Sequence, residues 1–325
     1  MQPDAARGVT CGVPEPSLPT STAEPAAGRL GFCRVGQHRI AYIAHNEHLT
    51  GDTPLVFVHG FSMSVRFWEI AMLPEIKQHR RWYSVSLPLH FPSTYDGDPL
   101  AAMLPESAFA KTLGDTVTQL VGRTPVRVVG HSVGAFAALA FAVAYPAQCE
   151  AVMSIGGFAQ GRAEGLRGGL QFLRLSGRVG RGMFRSIWRA QQRSRWFMRR
   201  LVSQYAADQK ALSAYPPLEP TLRLVHPDVA QHPLDGQYNM VRWLLDLDVE
   251  DDAHNIHCPV WVIAGTHDPV VAYDHQRRYA ELLPAGELFP LHGAGHLGFA
   301  ERPKEFNDLL RMFAATADGA FFAQP

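Results

Sequence analysis

Residues 126–134 read Val126-Arg127-Val128-Val129-Gly130-His131-Ser132-Val133-Gly134, and the chain continues as A-F-A-A-L-A-F-A-V-A-Y to Tyr145, just before Pro146. An apolar run typical of a buried strand passes directly into an alanine-rich helical stretch, which stops at the proline. Between the two lies a G-x-S-x-G pentapeptide. A serine on so sharp a strand-to-helix turn takes a strained backbone conformation, with its hydroxyl presented at the edge of the sheet. A Cβ at either flanking glycine collides as the turn closes. Ser132 is therefore the candidate nucleophile.

The pattern repeats outward from this point. Residues 30–35 and 39–44 form an expected strand pair around a Gly36-Gln37 turn. Pro54–His59, Trp82–Leu87, Ala151–Ile155, Val260–Ala264 and Glu287–Leu291 are short continuous apolar runs. Such runs mark strands covered on both faces, as in parallel sheets. Helical stretches fill the gaps, among them 104–122, 272–283 and 303–315. The fold class expected is α/β: a mostly parallel central sheet with helices on both faces. At 325 residues the chain is long enough for one large α/β domain with an insertion. Residues 29–157 and 241–317 are the expected core, and the strand-poor, arginine-rich stretch 158–240 a helical cap placed over it. Residues 1–28, rich in Pro, Ala, Ser and Thr, are expected as a flexible N-terminal tail, and 318–325 as a C-terminal one.

Composition narrows the classes. Thirty basic residues balance thirty acidic ones, which gives no chain-wide attraction to nucleic acid. Cys11, Cys33, Cys149 and Cys258 are scattered without a C-x-x-C, so neither a zinc ribbon nor a disulfide framework is indicated. No apolar run approaches membrane-spanning length, and the first residues, M-Q-P-D-A-A-R-G, lack the apolar core of a secretory signal. A cytoplasmic protein is expected. His254-x-x-His257 lacks the acidic partners of a metal site, and no dinucleotide, flavin or phosphate-loop fingerprint occurs, so neither metal nor cofactor is expected.

A serine nucleophile needs a base, and the base an orienting acid. Of fifteen histidines, His296 in L-H-G-A-G-H-L-G-F is the best placed, in a glycine-flanked loop after the last apolar run. His292 lies at that strand's end, where a structural role is expected. His131, inside the turn, is expected to point away from the pocket. Asp268, in A-G-T-H-D-P-V-V, directly follows the run Val260–Ala264. Asp274 is the alternative acid, but it opens a helix, where a carboxylate more often serves the helix dipole. Acyl chemistry also needs donors for an oxyanion. Val133 N–H, at the positive end of the helix after Ser132, is one candidate. Phe61 N–H, after the His59-Gly60 turn, is the other.

The chain resembles the α/β-hydrolase fold superfamily in H-G-F (59–61), G-H-S-V-G (130–134), G-T-H-D-P-V (265–270) and G-A-G-H-L-G-F-A-E-R-P (293–303). The resemblance spans about residues 30 to 316. It implies Ser132 as nucleophile, Asp268 as acid, His296 as base, and Phe61 with Val133 as the oxyanion hole. Serine in the turn separates it from haloalkane dehalogenases and epoxide hydrolases, which carry aspartate there. One departure is Ser86-Leu87-Pro88-Leu89-His90-Phe91-Pro92-Ser93, where relatives often have D-L-P-G-H-G-x-S. Leu89 and Phe91 replace glycines, so this loop is expected to take another path and to alter a pocket wall. The activity implied is serine hydrolysis of a carboxylic ester or related acyl substrate, a small molecule. A thioesterase or carbon–carbon bond hydrolase with the same triad is the alternative enzyme. A non-hydrolytic binding protein that kept the fold is the alternative from another class.

Residues 160–200 hold eleven arginines, no lysine and one acid, Glu164. Arg178, Arg181, Arg185, Arg189 and Arg193 recur every three or four residues, which places them along one helical face. Apolar residues such as Val179, Ile187 and Trp196 lie between them. A solvated cap face paired with the acidic remainder of the chain is one reading. Peripheral contact with an anionic membrane is another, and an anionic substrate or partner a third. Gly177, Gly180 and Gly182 are expected to break the helix into pieces.

Overall fold

The computed structural model describes residues 28–161 and 177–315. The two expected tails, apart from Gly28, and residues 162–176 of the basic insertion lie outside the described residues. The chain opens with a hairpin, β1 (Arg29–Val35) and β2 (His38–His45), turned at Gly36 with φ of 58°. It continues through β3 (Leu55–Val58), α1 (Trp68–Ala71), α2 (Pro74–His79), β4 (Trp82–Val85) and the two-residue β5 (Thr94–Tyr95). Then come α3 (Glu106–Val121), β6 (Val126–His131), α4 (Val133–Ala144) and β7 (Cys149–Ile155). Among the described residues of the inserted stretch five helices follow: α5 (Gly177–Arg193), α6 (Arg195–Ser203), α7 (Gln209–Ala214), α8 (Leu218–Val229) and α9 (Leu234–Leu244). The last of these runs past residue 240, where the sequence placed the cap boundary. β8 (Val260–Gly265), α10 (Tyr273–Leu282), β9 (Gly286–Leu291), α11 (Gly298–Glu301) and α12 (Pro303–Ala315) complete the order.

The sheet runs β1-β2-β4-β3-β6-β7-β8-β9, with β5 beside β2. β1, β2 and β5 pair antiparallel; every pair from β4 to β9 is parallel. The central strands β3, β4, β6 and β8 are buried at every residue, which is why they appear in the sequence as mainly apolar runs, with Ser84, Arg127 and His131 as buried polar exceptions. Alternate residues face opposite layers. Val56 and Val58 join the core beneath α3 and α4, whereas Leu55 and Phe57 join the layer that includes α12 and the inserted helices. Helix α4 shows no apolar stripe because Val133 to Ala142 are all buried, so alanine is needed on every side.

The chain crosses the sheet in both directions from β3: β4 lies on one side of it and β6 on the other. In open parallel sheets the crevice at such a reversal, outside the carboxyl ends of the strands, is where ligands sit. The segments after β3, β6, β8 and β9 carry Phe61, Ser132, Asp268 and His296. No helix among the described residues is long and apolar enough to cross a membrane.

The inserted helices are bolted to this end of the sheet. Gln191 Nε2 of α5 donates to Ser62 Oγ at 2.6 Å, and Gln237 Nε2 of α9 donates to the Leu89 carbonyl at 2.6 Å. The buried Glu301 carboxylate accepts the Asp208 and Gly295 N–H groups, tying the loop after α6 to the loop after β9. Contrary to expectation, α5 is continuous over its 17 residues despite Gly180 and Gly182. Burial of Phe184 and Trp188 outweighs the glycine penalty, about 1 kcal/mol each.

Candidate active site

Ser132 sits between β6 and α4 at φ 54° and ψ −116°, a region that non-glycine residues rarely occupy. The glycines around it are steric requirements. A Cβ on Gly130 would lie 2.3 Å from the Gly134 carbonyl oxygen, and one on Gly134 would lie 2.5 Å from those of His59 and Val58. The turn is held by Ser132 N–H donating to Ile155 O at 2.9 Å, while the Ser132 carbonyl accepts from Ala135 and Phe136. Val133 is the first residue of α4, so its N–H has no partner within the helix. Phe61 follows Gly60, where a Cβ would come within 3.3 Å of Ser132 Cβ. Both candidate oxyanion donors thus belong to segments that adjoin Ser132.

His296 Nδ1–H donates to Asp268 Oδ2 at 2.8 Å, and both side chains are almost wholly buried. Asp268 Oδ1 accepts the N–H groups of Val270 and Val271 at 2.7 and 2.9 Å, and Gln276 Nε2 lies 3.3 Å from Oδ2. The carboxylate is therefore fixed on both oxygens. With Nδ1 donating, neutral His296 keeps Nε2 as an acceptor. His296 is brought toward Ser132 by Gly156: the residue before it, Ile155, accepts the Ser132 N–H, and a Cβ on Gly156 would lie 3.0 Å from His296 Nδ1. Gly295 is likewise required, since a Cβ there would meet Ala207 N at 2.4 Å. The His296 N–H donates to Tyr205 O at 2.8 Å, so the inserted stretch helps to hold the imidazole loop.

The alternatives are placed elsewhere. His292 is exposed, and the Asp274 side chain is 79% exposed in the first turn of α10, beside Arg277. His131 donates Nε2–H to the His296 carbonyl at 3.1 Å; burial, with the nearby His296, pushes it down to about 3. It is a neutral strut behind the imidazole. Three further histidines surround the Phe61 segment. His59 donates Nδ1–H to Gly60 O and accepts Leu87 N–H, and His232 accepts Phe91 N–H and donates to Met63 O. His90 stands between them, its ring centroid 5.1 Å from that of His59 and 4.9 Å from that of His232. Burial lowers all three, His90 to about 4. They link loops without adding charge.

Leu89, where the sequence departs from the familiar pattern, stands at φ 61°, the region glycine favours, and is buried. Beside it Phe61, Trp188, Phe184 and Tyr238 form an aromatic wall, with the Phe61 and Trp188 rings 5.4 Å apart. A further apolar cavity of about 30 Å³ lies between Met63, Phe67, Leu212, Leu218, Leu297 and Phe299. Gly156, Gln276, Tyr205 and the Glu301 clamp were not singled out from sequence. Only Gly156-Gly157, ending an apolar run, left a signal there. No cluster of metal-ligating side chains occurs among the described residues.

Residues 55–309 match the profile of the alpha/beta hydrolase family, and the chain belongs to that family. A relative named pyrrolizixenacetamide deacetylase, from Xenorhabdus hominickii, is 25% identical over 197 residues, 60% of this chain and 67% of that one. Among solved structures, the esterase RhEst1 from Rhodococcus sp. ECU1013 superposes with a TM-score of 0.65 at 19% identity, covering 89% of this chain and 99% of that one. The enol-lactonase from Burkholderia xenovorans LB400 superposes with a TM-score of 0.68 at 14% identity, covering 88% and 100%. The protein is a hydrolase of this family.

Proposed function

We propose that this hydrolase cleaves a carboxylic ester or related acyl substrate through an acyl-enzyme on Ser132. The observation that carries the reading is the buried His296–Asp268 pair at 2.8 Å, set at the strand ends where the strained Ser132 turn also lies. Ser132 Oγ attacks the carbonyl carbon as its proton passes to His296 Nε2. Asp268, already saturated by backbone N–H groups, stabilises the imidazolium and fixes its tautomer. Phe61 and Val133 N–H groups receive the developing oxyanion. Collapse expels the alcohol, which takes the proton from His296. A water then attacks the acyl-serine, His296 again accepting the proton; collapse breaks the bond to Ser132 Oγ, which takes that proton back from His296 as the free acid leaves.

The wall of Phe61, Trp188, Phe184 and Tyr238 favours an uncharged, apolar substrate body. Removal of an acyl group also agrees with the name of the Xenorhabdus hominickii relative. Turnover of p-nitrophenyl acetate by wild type and Ser132→Ala tests the proposal. The variant is expected to lose at least about 1,000-fold in kcat and less than about 1 kcal/mol in stability. Wild-type turnover by Ser132→Ala would overturn it.

A further inference from the structure

We propose that the outer face of α5 and α6 is a docking surface for an anionic lipid bilayer. Residues 177–203 hold eight arginines and no acid. The structure divides them into two sets by their ion pairs. Arg181 and Arg185 turn inward to Asp235 at 3.1 and 3.2 Å, and Arg199 pairs with Glu219 at 2.6 Å. Arg178, Arg189, Arg193, Arg195 and Arg200 are exposed and have no ion-pair partner among the described residues.

Beside these cations the same two helices carry apolar side chains that the fold leaves in water. Val179, Met183 and Ile187, spaced by four along α5, are 67%, 42% and 39% exposed, and Trp196 of α6 is 70% exposed. On the adjoining side of α5, turned to the core, Phe184 and Trp188 are buried. The helix therefore carries two apolar rows: one is buried in the core, and the other lies in water, bordered on its free edge by unpaired cations. A solvated face does not need Val, Met, Ile and Trp. A nucleic acid would use the cations but leave the aliphatic chains unrewarded. An interfacial helix uses both, because its apolar side chains enter the acyl boundary while the arginines meet lipid phosphates. Tryptophan is also the residue most suited to the headgroup level. Because Trp188 on the inner side touches Phe61, docking would place the candidate active site just behind the membrane contact.

The surface is independent of the Ser132 chemistry, and the experiment keeps the two apart. Sedimentation of the full chain would be measured with phosphatidylcholine vesicles, with and without about one-third phosphatidylglycerol, at low and high salt. Binding is expected only to the anionic vesicles, weakening as salt rises, and unchanged in Ser132→Ala. Each cation near an anionic surface contributes roughly fivefold, so Arg189→Gln/Arg193→Gln/Arg195→Gln together should weaken binding about 100-fold. Val179→Ser/Met183→Ser/Trp196→Ser should weaken it at least about tenfold. Brominated acyl chains should quench a fluorescence component that disappears in Trp196→Phe. Turnover of p-nitrophenyl acetate should stay at the wild-type level in the surface variants, which also reports that they are folded. Failure of the wild type to bind anionic vesicles at low salt would overturn the proposal. So would wild-type binding by Val179→Ser/Met183→Ser/Trp196→Ser, which would mark a purely electrostatic surface such as one for nucleic acid.

Discussion

The geometry around Asp268 separates two carboxylates that look alike in the sequence. Asp268 holds His296 and is itself held by two backbone N–H groups, whereas Asp274 stands in solvent beside Arg277. Under the proposed mechanism Asp268→Asn leaves the packing nearly intact but offers His296 the wrong hydrogen-bond partner. Loss of kcat should approach the roughly 10⁴-fold seen for this role in serine proteases. Asp274→Asn should stay within about twofold, since the side chain reaches neither His296 nor the buried core. Comparable losses in steady-state assays of the two variants would contradict the assignment of the acid. The position of Asp268 was legible because it follows an apolar run directly. The roles of Gly156, Gln276 and Tyr205 were not, because each arises from a contact between segments far apart in the chain. The histidines make the same point. His131, His59, His90 and His232 differ from His296 by what they touch, and only the fold decides that.

Elements were legible where burial imposes a pattern on the sequence. The parallel strands are buried on both faces and so read as continuous apolar runs, and α3, α10 and α12 fall within the expected stretches. The short α1, α2 and β5, with four, six and two residues, were missed because none is long enough to show a period. Helix α5 was misread for another reason. Its glycines weigh against a helix locally, and the tertiary contacts that override them involve α9 and the Phe61 segment. Trp188 makes that contact: it is 4% exposed and meets Phe61, yet its Nε1 is buried with no hydrogen-bond partner among the described residues. Trp188→Ala should therefore cost about 3 kcal/mol through the cavity it leaves. Trp188→Phe should cost much less, since no hydrogen bond is lost. Thermal unfolding midpoints that leave Trp188→Ala at the wild-type value would contradict this packing.

For the whole molecule, neutrality conceals separation: equal numbers of acids and bases coexist with a strongly basic inserted stretch. Buried histidines give the folded state a pH dependence of its own. His131, His90 and His275 are lowered to about 3, 4 and 4, and His59 and His232 are lowered as well, all chiefly by burial. Below the ordinary value near 6.5 the unfolded chain takes up protons on these rings and the folded chain does not. Stability therefore rises with pH across this window. It is complete above about pH 6.5 and falls steadily toward pH 4, by on the order of 1 kcal/mol per histidine for each pH unit. Denaturant unfolding at pH 7 and pH 5 should show a marked loss at pH 5, and equal stabilities would contradict the neutral, buried state of these rings.

The central claim is that Ser132 is a nucleophile activated by His296. A fluorophosphonate probe tests it directly, because phosphonylation of a serine hydroxyl requires that activation. Intact-mass and peptide analysis should find one adduct per chain, located on Ser132, formed slowly in His296→Ala and not at all in Ser132→Ala. Labelling that persists in Ser132→Ala, or a wild-type chain that stays unlabelled while folded, would contradict the account.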